Sequence, residues 1–380
     1  MSSQTSNFEI VPIERPSDIR AFVDTGYKLN ERYPAFVNQL RMDLLTILDR
    51  KKNPFWQRAD FQLFLAKRDG KIIGRIAAID NRAHNEYHGA NAGHWGFFDC
   101  IDDVDVAKAL FDAAEKWIRS KGRTSSIGPT NPTINDVCGL LIDSFNEPPV
   151  LMMSWNPDYY PKLVEASGNK KEMDLYAYWL APSDQAEKYK HAADVFRRRY
   201  KIETRNLDMK NFDRDLAIVK EIYNAAWANN WDFFPMTDAE INHMAKQLKM
   251  VVKPNLVHFA YLDGKPVGFS LALPDYYQAF RNIRDGKLLP FGIVKFLWNL
   301  YGAKKINQVR LWAMGVIPEF RNRGVDVVMY NEITKEVQRI GFRGGELSWI
   351  LEDNTMMNQV LVNMGATLYR RYRMYKKDLV

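Results

Sequence analysis

Residues 315–330 read GVIPEFRNRGVDVVMY and bring a strand end, two arginines and a glycine to the start of a helix. Val316 ends a run that is typical of a strand, and Pro318 stops strand pairing. Backbone N–H groups at a helix start bind anions, and a glycine there leaves space for one. Arg321 and Arg323 add positive charge. The segment therefore predicts a turn that grips a diphosphate.

The spacing Arg321-x-x-Gly324, preceded by Val-x-Pro and followed by a helix, resembles a signature of the GNAT superfamily of N-acetyltransferases. That signature reads Gln/Arg-x-x-Gly-x-Gly/Ala. A second segment, NTMMNQVLVNMGA at 354–366, resembles the downstream GNAT motif, with Asn354 in its first position and Gly365 in its twelfth. The two motifs follow in the order that the family uses.

The resemblance covers residues 202–380 well and residues 8–180 more faintly, so the whole chain resembles a tandem GNAT protein. This implies an α/β fold of two tandem GNAT-like mixed-sheet domains with flanking helices. It also implies an N-acyltransferase that uses acetyl-CoA or another acyl-CoA as co-substrate. The acceptor would be a small-molecule or peptide amine.

The resemblance implies roles for individual residues. Backbone groups near Val316 would pair with the pantetheine arm, where the fourth and fifth strands splay apart. Amides of residues 321–326 would bind the pyrophosphate, and the side chain of Asn354 would bind near the thioester. Asn354 can equally cap its own helix, and the two roles can coexist. The residues expected to bind the cofactor are Val316, Arg321, Asn322, Arg323, Gly324, Val325, Asp326 and Asn354.

Two positions depart from the family pattern. Asp326 stands where the motif has Gly or Ala, which brings a carboxylate close to two phosphates. It either turns outward and caps the helix, or it reduces cofactor affinity. The tyrosine that often protonates the leaving thiolate in this family falls on Leu361. Another residue or water must fill that role, or it is missing.

Acyl transfer to an amine requires a proton acceptor and a polarised thioester carbonyl. The alternating strand ELSWILE places Glu346, Ser348 and Glu352 on one face. Glu352, at the strand end, is the predicted base, with an exposed carboxylate of no catalytic role as the alternative. The tyrosines that could replace the missing acid are Tyr369, Tyr372 and Tyr375, with Tyr372 chosen and aromatic packing as the alternative.

Other catalytic patterns are absent from the sequence. His84, His88 and His94 have a spacing compatible with metal ligation, but no Cys or acidic pattern supports them and the stretch resembles a loop. We therefore expect no metal site. No serine lies in a nucleophile elbow, and there is no Walker-type loop.

The elements that must position these residues occur twice. The stretches AKRDGKIIGRIAA at 66–78 and AYLDGKPVGFSLA at 260–272 share six identical positions, and each predicts a hairpin with an Asp-Gly turn. A strand and an 18-residue helical segment follow each hairpin, over 94–122 and 309–341. Each half then predicts a strand containing Ser-Trp, a short helix and a last strand rich in tyrosine. This order indicates one α/β unit present twice.

The duplication sets the predicted domain boundaries. An N-terminal GNAT-like domain is expected over 1–182, a connecting helix over 183–201 and a C-terminal domain that binds acyl-CoA over 202–380. The loop of the first copy reads FFDCIDDVDVAKAL and has no Arg-x-x-Gly. Its acidic residues would repel a diphosphate at short range, so the first copy is not expected to bind coenzyme A. They are Asp99, Asp102, Asp103 and Asp105.

Two long segments interrupt the repeat, at 126–149 and at 274–307, and loops of this length tend to be functional. Residues 224–237 and 289–302 are rich in aromatic and aliphatic residues, which suggests an acceptor pocket with a large apolar wall. Residues 289–302 could also contact a membrane. Pro290 and the flanking glycines make this segment a poor helix at both ends, so no membrane partner is expected.

Composition narrows the class of protein. The chain has 380 residues and a formal net charge of +7, but its basic residues are dispersed, so we expect no nucleic-acid partner. No apolar run is long enough to span a membrane, and the N-terminus does not resemble a secretory signal. Cys100 and Cys138 are the only cysteines, which fits a reducing compartment. A cytoplasmic location is the expectation, and the oligomeric state stays open.

Two other functions remain compatible with the sequence. One is a tandem-GNAT transferase similar to the Fem-type aminoacyltransferases, which take their acyl group from transfer RNA. The retained RNRG turn argues against it, because those proteins tend to lack a good pyrophosphate loop. The other is a protein that binds coenzyme A or another ligand without turnover, which Asp326 and Leu361 make conceivable.

Overall fold

The computed structural model describes residues 8–37, 39–182 and 185–379. The chain divides into two compact units, each of which is discontinuous in sequence. The first unit comprises Met1–Leu175, Phe280–Leu297 and Arg370–Val380, and the second comprises Tyr176–Ala279 and Trp298–Tyr369. The domain boundaries expected from the repeat stay a prediction, and residues 183 and 184 of the connecting helix lie outside the described residues.

The first half of the chain contains the following elements. Its helices are α1 (Ile19–Asn30), α2 (Arg41–Ile47), α3 (Arg82–His88), α4 (Val104–Ser120) and α5 (Tyr160–Ala166). Its strands are β1 (Glu9–Ile13), β2 (Ala59–Arg68), β3 (Lys71–Asn81), β4 (Ala92–Cys100), β5 (Ser125–Gly128), β6 (Thr130–Asn131), β7 (Val137–Cys138), β8 (Leu140–Leu141) and β9 (Lys170–Leu180).

The second half repeats this order with a longer insertion. Its helices are α6 (Gln185–Tyr200), α7 (Phe212–Trp227), α8 (Asp238–Leu248), α9 (Tyr277–Phe280), α10 (Gly292–Leu297), α11 (Val325–Arg339) and α12 (Thr355–Asn363). Its strands are β10 (Glu203–Asn206), β11 (Val257–Leu262), β12 (Lys265–Pro274), β13 (Val309–Val316), β14 (Gly345–Leu351) and β15 (Thr367–Asp378). None of the helices in the described ranges has the length and apolarity that crossing a membrane requires.

The two Asp-Gly turns are built alike, as the sequence predicts. Asp69 and Gly70 have φ angles of +50° and +72°, and Asp263 and Gly264 have φ angles of +49° and +75°. Two successive left-handed residues give the tight turn whose twist matches the flanking antiparallel strands. Strands β2 and β3 pair around the first turn, and strands β11 and β12 pair around the second.

In the first unit the strands lie in the order β1-β2-β3-β4-β5-β15-β9. Strands β4 and β5 are parallel, and β15 pairs with β5 and with β8 in antiparallel orientation. Helix α4 covers the sheet through its buried apolar face. The residues of this face are Val106, Ala107, Leu110, Phe111, Ala114 and Ile118.

In the second unit the order is β9-β14-β13-β12-β11-β10, and β13 runs parallel to β14. Helix α11 occupies the place that α4 has in the first unit, and Val325, Val328 and Met329 lie in its core. Helix α6, found where the connecting helix is predicted, packs alongside α11 and contributes Ala193 to the same core.

The last strand of each half is divided between the units. Residues Tyr176–Leu180 of β9 belong to the second unit, and the part of β15 from Arg370 onward belongs to the first. In the first unit, Tyr375 of β15 lies opposite Gly128 of β5. A local pattern predicts both strands but not this division, because pairing partners are set by long-range contacts.

The prediction of one strand in the first half is wrong. The Ser-Trp segment within 149–155 is not a strand, and β5, which follows α4 directly, is the parallel partner of β4. The Trp155 indole instead donates a hydrogen bond to the carbonyl oxygen of Phe145 (2.8 Å) and packs against Tyr33 and Phe36. The apolar run at this position therefore serves core packing, which periodicity alone does not separate from a strand.

Candidate active site

The parallel strands of the second unit splay apart. Strand β13 pairs with β14 at Val309–Gly345, Arg310–Glu346 and Leu311–Leu347, and both strands then continue beyond the last of these pairs. Leu311 and Leu347 are buried, whereas residues 312–314 and 349–351 are half-buried. The splay therefore leaves a partly open gap at the carboxyl ends of the two strands.

A tight turn carries the chain from the end of β13 into α11. Ile317 donates its backbone N–H to the carbonyl oxygen of Val267 (2.9 Å), which fixes the start of the turn. Residues 321–323 are exposed. Asn322 and Gly324 have φ angles of +63° and +72°, a region that glycine enters without strain. Gly324 is the N-cap of α11 and has no side chain with which to satisfy the first-turn amides.

The Asp326 carboxyl lies at the first turn of this helix. It is half-buried near the backbone amides of Val327 and of Asp326 itself, and its effect on cofactor affinity stays a prediction. Burial raises the pKa of Asp326 above its ordinary value, and these amides only partly oppose that rise. Tyr330, one turn further on, has a raised pKa because it is buried and because it lies near the charge of Asp326.

The two arginines of the turn have different surroundings. Arg321 donates from Nε to the carbonyl oxygen of Val316 (3.3 Å) and from Nη2 to that of Ala226 (2.7 Å). Arg323 lies over the ring of Phe320, with 5.2 Å between the guanidinium carbon and the ring centroid. Arg321 thus ties the turn to the end of β13 and to α7, while Arg323 keeps its guanidinium at the surface.

Phe196 of α6 covers the glycine of the turn. A Cβ atom built on Gly324 would lie 2.2 Å from the Phe196 ring. Any side chain at position 324 would therefore collide with this ring, in addition to the strain of the positive φ. Sequence reasoning assigned no role to Phe196, because the contact joins residues that are far apart in the chain.

A buried polar network joins the strands where they are still paired. Ser348 donates to Glu346 Oε1 (2.5 Å), and Tyr369 donates to the other oxygen of the same carboxylate. Arg310 donates from Nε to Ser348 Oγ (3.2 Å) and lies over the ring of Trp349. Glu346 is fully buried, so this network holds a carboxylate and a guanidinium inside the second unit.

Two predicted site residues lie just beyond β14. Glu352 is half-buried at the strand end, and its carbonyl oxygen accepts a hydrogen bond from Asn358 Nδ2 (3.4 Å). Asn354 caps α12, since its Oδ1 accepts the N–H of Met357 (3.2 Å). The capping role that the sequence left open is thus observed, and the cofactor role of Asn354 stays a prediction.

The other predicted residues are in different surroundings. Tyr372 belongs to the first unit, is fully buried and lies opposite Leu141 of β8. Tyr375 is also fully buried there and donates to Glu165 (3.2 Å). Leu361 belongs to the core of the second unit. Of the three tyrosines proposed from the sequence, only Tyr369 belongs to the unit that carries the Arg-x-x-Gly turn.

In the first unit the end of β4 is built around a buried ion pair. Arg75 and Asp99 lie 2.6 Å apart, and the Asp99 carboxylate also accepts hydrogen bonds from Asn30 (2.6 Å) and Tyr160 (3.1 Å). Burial raises the pKa of Asp99 in spite of Arg75. Because these partners occupy the oxygens of the carboxylate, we assign Asp99 a structural role.

The following acidic loop caps its own helix. Asp103 Oδ1 accepts the backbone N–H groups of Asp105 and Val106, and Asp103 Oδ2 lies 2.8 Å from Arg68. Burial alone would raise the pKa of Asp103, but the hydrogen bonds from Arg68 and from Val106 hold it below the ordinary value. A charged carboxylate therefore occupies the amides that would otherwise be available to an anion.

The splay of the first unit is partly filled by the chain itself, and a small pocket remains there, with Phe97, Asp99 and Asn131 in its walls. Strands β4 and β5 pair over three residues, the last pair being His94 with Ile127. Beyond it, Asn131 Oδ1 accepts the backbone N–H of Phe97 (2.6 Å), and a Cβ on Gly96 would lie 1.7 Å from the carbonyl oxygen of Thr130. All of β4 is buried as a result.

The histidine segment is partly helical, so the expectation of a loop is wrong. Helix α3 contains His84 and His88, and His94 lies on β4. The ring centroid of His84 is 4.6 Å from that of His88 and 4.8 Å from that of His94. The first pair of rings is tilted and the second is edge-to-face, and the absence of a metal stays a prediction.

The turn at residues 321–325 fits a diphosphate in most respects. The arginine charges, the left-handed glycine and the neighbouring open splay match what such a ligand needs. Asp326 opposes it, because its carboxylate shares the first-turn amides, although the raised pKa reduces its charge.

Comparison with curated proteins gives two relatives over nearly the whole chain. A protein named bacterial ceramide synthase from Caulobacter vibrioides is 36% identical over 388 residues, which cover 99% of this chain and 99% of the relative. Protein YghO from Escherichia coli is 34% identical over 369 residues, which cover 96% of this chain and 93% of the relative. No family model matches the chain.

Comparison with solved structures identifies the fold. A tandem GNAT protein from the clavulanic acid biosynthesis pathway superposes with a TM-score of 0.57 at 13% sequence identity, covering 98% of this chain and 99% of the other. At this identity the likeness concerns the fold alone. It confirms the mixed α/β tandem GNAT fold expected from the sequence motifs.

Proposed function

Because this chain belongs to the family of bacterial ceramide synthase and protein YghO, we propose that it is an N-acyltransferase for long-chain amines. It would transfer a fatty acyl group from acyl-CoA to the amine of a long-chain amino alcohol. A ceramide is an amide of this kind, which is how the name of the relative bears on the acceptor. The GNAT fold, which acyltransferases of this type use, supports the reaction class.

The observation that carries the proposal is the open splay beside the arginine turn. Strands β13 and β14 separate after Leu311 and Leu347, and the exposed residues 321–323 follow at the end of β13. A pantetheine arm needs an extended backbone with which to pair, and a diphosphate needs amides and positive charge. Both features lie within one strand and the turn that follows it.

The residues proposed to hold the donor are those of the turn and of the strand end. The diphosphate would be held by amides from Arg321 to Val325 and by the side chain of Arg323. Backbone groups of β13 up to Val316 would orient the pantetheine, with Asn354 near the thioester. Coenzyme A supplies the thioester that makes the acyl group reactive.

The acceptor class is supported by the apolar surroundings of the open strand. Trp227 packs so closely on β13 that a Cβ on Gly315 would lie 2.4 Å from its ring. The Trp227 ring contacts those of Tyr223 and Phe269, with centroids 4.7 and 5.9 Å away. Trp227 and Tyr223 are only half-buried, so an aromatic wall remains accessible to an aliphatic chain.

In the proposed reaction the amine loses a proton and the leaving thiolate gains one. The amine nitrogen attacks the thioester carbonyl, a C–N bond forms, the C–S bond breaks, and the amine proton leaves. We assign that proton to Glu352, directly or through water, because it is the carboxylate at the open end of β14. The thiolate is protonated by water, since Leu361 has no proton to give. Tyr372 has a packing role, and the Glu346–Tyr369 pair positions the strands.

A binding and turnover experiment tests the proposal. Palmitoyl-CoA, acetyl-CoA and desulfo-CoA are titrated calorimetrically, and turnover of palmitoyl-CoA with a C18 amino alcohol is followed by thiol release and by mass spectrometry of the amide. We expect binding of all three CoA compounds and turnover with palmitoyl-CoA. Arg323→Gln, which removes only one exposed charge, should weaken binding about tenfold or more.

The same experiment separates the alternatives. Binding without amide formation across short and long amines would favour a ligand-binding protein, a role that the Asp326 carboxyl at the first-turn amides makes plausible. Amide formation only from aminoacyl-tRNA would favour a Fem-like transferase. The absence of any CoA binding at millimolar concentration would refute the assignment of the turn.

A further inference from the structure

The segment of the first unit from Phe280 to Leu297 exposes a set of large apolar side chains. Leu289 is 72% exposed, Phe291 78%, Val294 65% and Leu297 44%. Trp298 and Tyr301, which follow in the chain, are 68% and 72% exposed. Single exposed apolar residues are common, but a run of this kind marks an interaction surface. We name the side chains of Leu289, Phe291, Val294 and Leu297 the apolar ridge.

The ridge is held on a well-anchored segment. Arg41 donates its backbone N–H to the carbonyl oxygen of Gly286 (3.0 Å). Arg284 donates from Nη1 to the carbonyl oxygen of Glu31 (3.1 Å), and Ile283 is buried. A Cβ on Gly286 would lie 2.3 Å from the Tyr27 ring, so this turn packs directly on α1. The exposure of the ridge is therefore a property of a fixed segment.

The inward positions of the segment are already filled. Phe280 and Phe296 pack with ring centroids 5.1 Å apart, and Ile293 is half-buried beside them. The ridge residues are thus additional to those that hold the segment to its own unit. Exposed side chains at such positions are normally polar, so the apolar set must be covered by something else.

The charges around the ridge indicate what covers it. Residues 280–297 contain four basic side chains and one acidic one. All four basic residues are exposed, and they are Arg281, Arg284, Lys287 and Lys295. The acidic residue, Asp285, is held at the turn, where its backbone oxygen accepts a hydrogen bond from Arg41. The ridge is therefore surrounded by positive charge.

From these observations we infer that the apolar ridge docks this protein on the surface of an anionic lipid bilayer. Aromatic and aliphatic side chains enter the headgroup boundary, and Lys and Arg beside them bind anionic lipid. A continuous helix is not needed, because the anchored turn presents the side chains. The break at Pro290 and Gly292, which the sequence counted against a membrane contact, is present, but it does not bury the ridge.

This inference goes beyond the proposed activity, and its test involves no turnover. The full-length protein is mixed with vesicles of phosphatidylcholine alone or with 30% phosphatidylglycerol, and bound protein is measured by flotation. We expect flotation with the anionic vesicles and a decrease as salt rises from 50 to 500 mM, because salt screens the charge attraction.

Two pairs of substitutions separate the apolar from the charged contribution. F291S/V294S should weaken partitioning at least tenfold by removing buried apolar area. K287Q/K295Q should weaken it roughly 25-fold at low salt, about fivefold per charge. The matched control is M250S/V362S, which removes two other exposed apolar side chains and should leave flotation unchanged. Circular dichroism and the melting temperature verify that each variant is folded.

Three outcomes would overturn the inference. The first is the absence of flotation of the wild type with anionic vesicles at 50 mM salt. The second is equal flotation of F291S/V294S and the wild type. The third is a lipid-free dimer that disappears in F291S/V294S, which would assign the ridge to a second copy of the chain. Since none of these depends on turnover, failure of the proposed activity would leave the test valid.

Discussion

Each unit contains an equivalent pair of parallel strands, β4 with β5 and β13 with β14, but the surroundings of their carboxyl ends differ. In the second unit, β13 and β14 part after Leu311 and the strand residues beyond are half-buried. In the first unit, β4 and β5 part at the equivalent place, but Asn131 pairs with Phe97 there and β4 is buried throughout. The second splay is partly open, whereas the first is partly filled by protein and keeps a small pocket beside Asn131.

The turns that follow these strands also differ between the two units. The second unit has exposed arginines and a glycine N-cap, whereas the first has Asp103 seated on the first-turn amides. A duplicated scaffold can thus keep its strands while one copy loses the free amides and the positive charge that an anion needs. Under the proposed function, ligand binding would follow the turn and the gap, and not the fold that both copies share.

Reversing the positive charge of the turn in the second unit should abolish the acyl-CoA binding that we propose for that unit alone. We expect R321E/R323E to lower kcat/KM for acyl-CoA about 100-fold or more, because the charge-assisted contact of Arg323 to phosphate becomes a repulsion and the turn gains a second negative charge at position 321. Steady-state kinetics at fixed ionic strength measure the effect. D102N/D105N, which changes exposed charges of the first turn, is the control and should leave kcat/KM within about twofold. An equal loss in both variants would contradict the assignment of the site to the second turn.

The proposed base can be compared with the buried tyrosine of the first unit. Glu352→Gln should lower kcat about 100-fold or more, because the amide cannot accept the amine proton. Tyr372→Phe should change kcat by no more than about twofold, since Tyr372 is fully buried in the first unit. A kcat loss confined to Tyr372→Phe would reverse these roles.

The filled splay should contribute to stability and not to ligand binding. Asn131→Ala leaves the Phe97 N–H without its acceptor, and we expect the free energy of unfolding to fall by about 1–3 kcal/mol. KM for acyl-CoA should stay unchanged. Asn354→Ala, which removes an exposed N-cap in the second unit, should cost about 1 kcal/mol or less. Urea unfolding followed by tryptophan fluorescence measures both, and a raised KM for Asn131→Ala would argue for a ligand in the first unit.

The smallest expected effect concerns Asp326. Burial raises the pKa of this carboxyl, so it is protonated at acidic pH and charged above its raised pKa. Acyl-CoA affinity should therefore fall as pH rises through that value, and Asp326→Asn should remove this dependence and bind a few times more tightly at pH 7. The folded state binds the proton more strongly than the unfolded state. The contribution of Asp326 to stability is therefore lost as pH rises through the same window, and Asp326→Asn removes this contribution.

Calorimetric titrations at several pH values between 4 and 8 test this prediction. A wild-type affinity that is independent of pH would mean that the carboxyl lies away from the phosphates. Glu319→Gln, which removes another carboxylate of the same turn region, is the matched control and should keep the pH dependence of the wild type.

Much of the fold follows from local sequence. The Asp-Gly turns, the helices closed by Gly122 and Gly341 and the tyrosine-rich last strands depend on neighbours in the chain, so their patterns predict them. The Ser-Trp strand of the first half was predicted wrongly, because the Trp155 side chain packs against residues far away in sequence. The division of β9 and β15 between the units could not be predicted for the same reason.

The candidate site, too, could be predicted only where it depends on residues that are neighbours in the chain. The charges and the glycine of the turn are visible in the sequence, and so is the possibility that Asn354 caps its helix. The Glu346–Tyr369 pair was visible only as two separate candidates, since their contact joins β14 to β15. Nothing in the sequence indicated that Phe196 would cover Gly324. The apolar segment 289–302 was visible in the sequence, but its pattern alone left open whether it lines a pocket or contacts a membrane.

The sequence by itself determined that the unit occurs twice, that its hairpins turn at Asp-Gly and that one copy has lost its anion-binding charges. These features depend on local backbone preferences and on residue charge. Only the tertiary structure decided that Asn131 bonds to β4 inside the first splay, and in which unit Tyr372 lies. Those outcomes depend on contacts between segments that are distant in the chain. A local sequence pattern does not contain the free energies of such contacts.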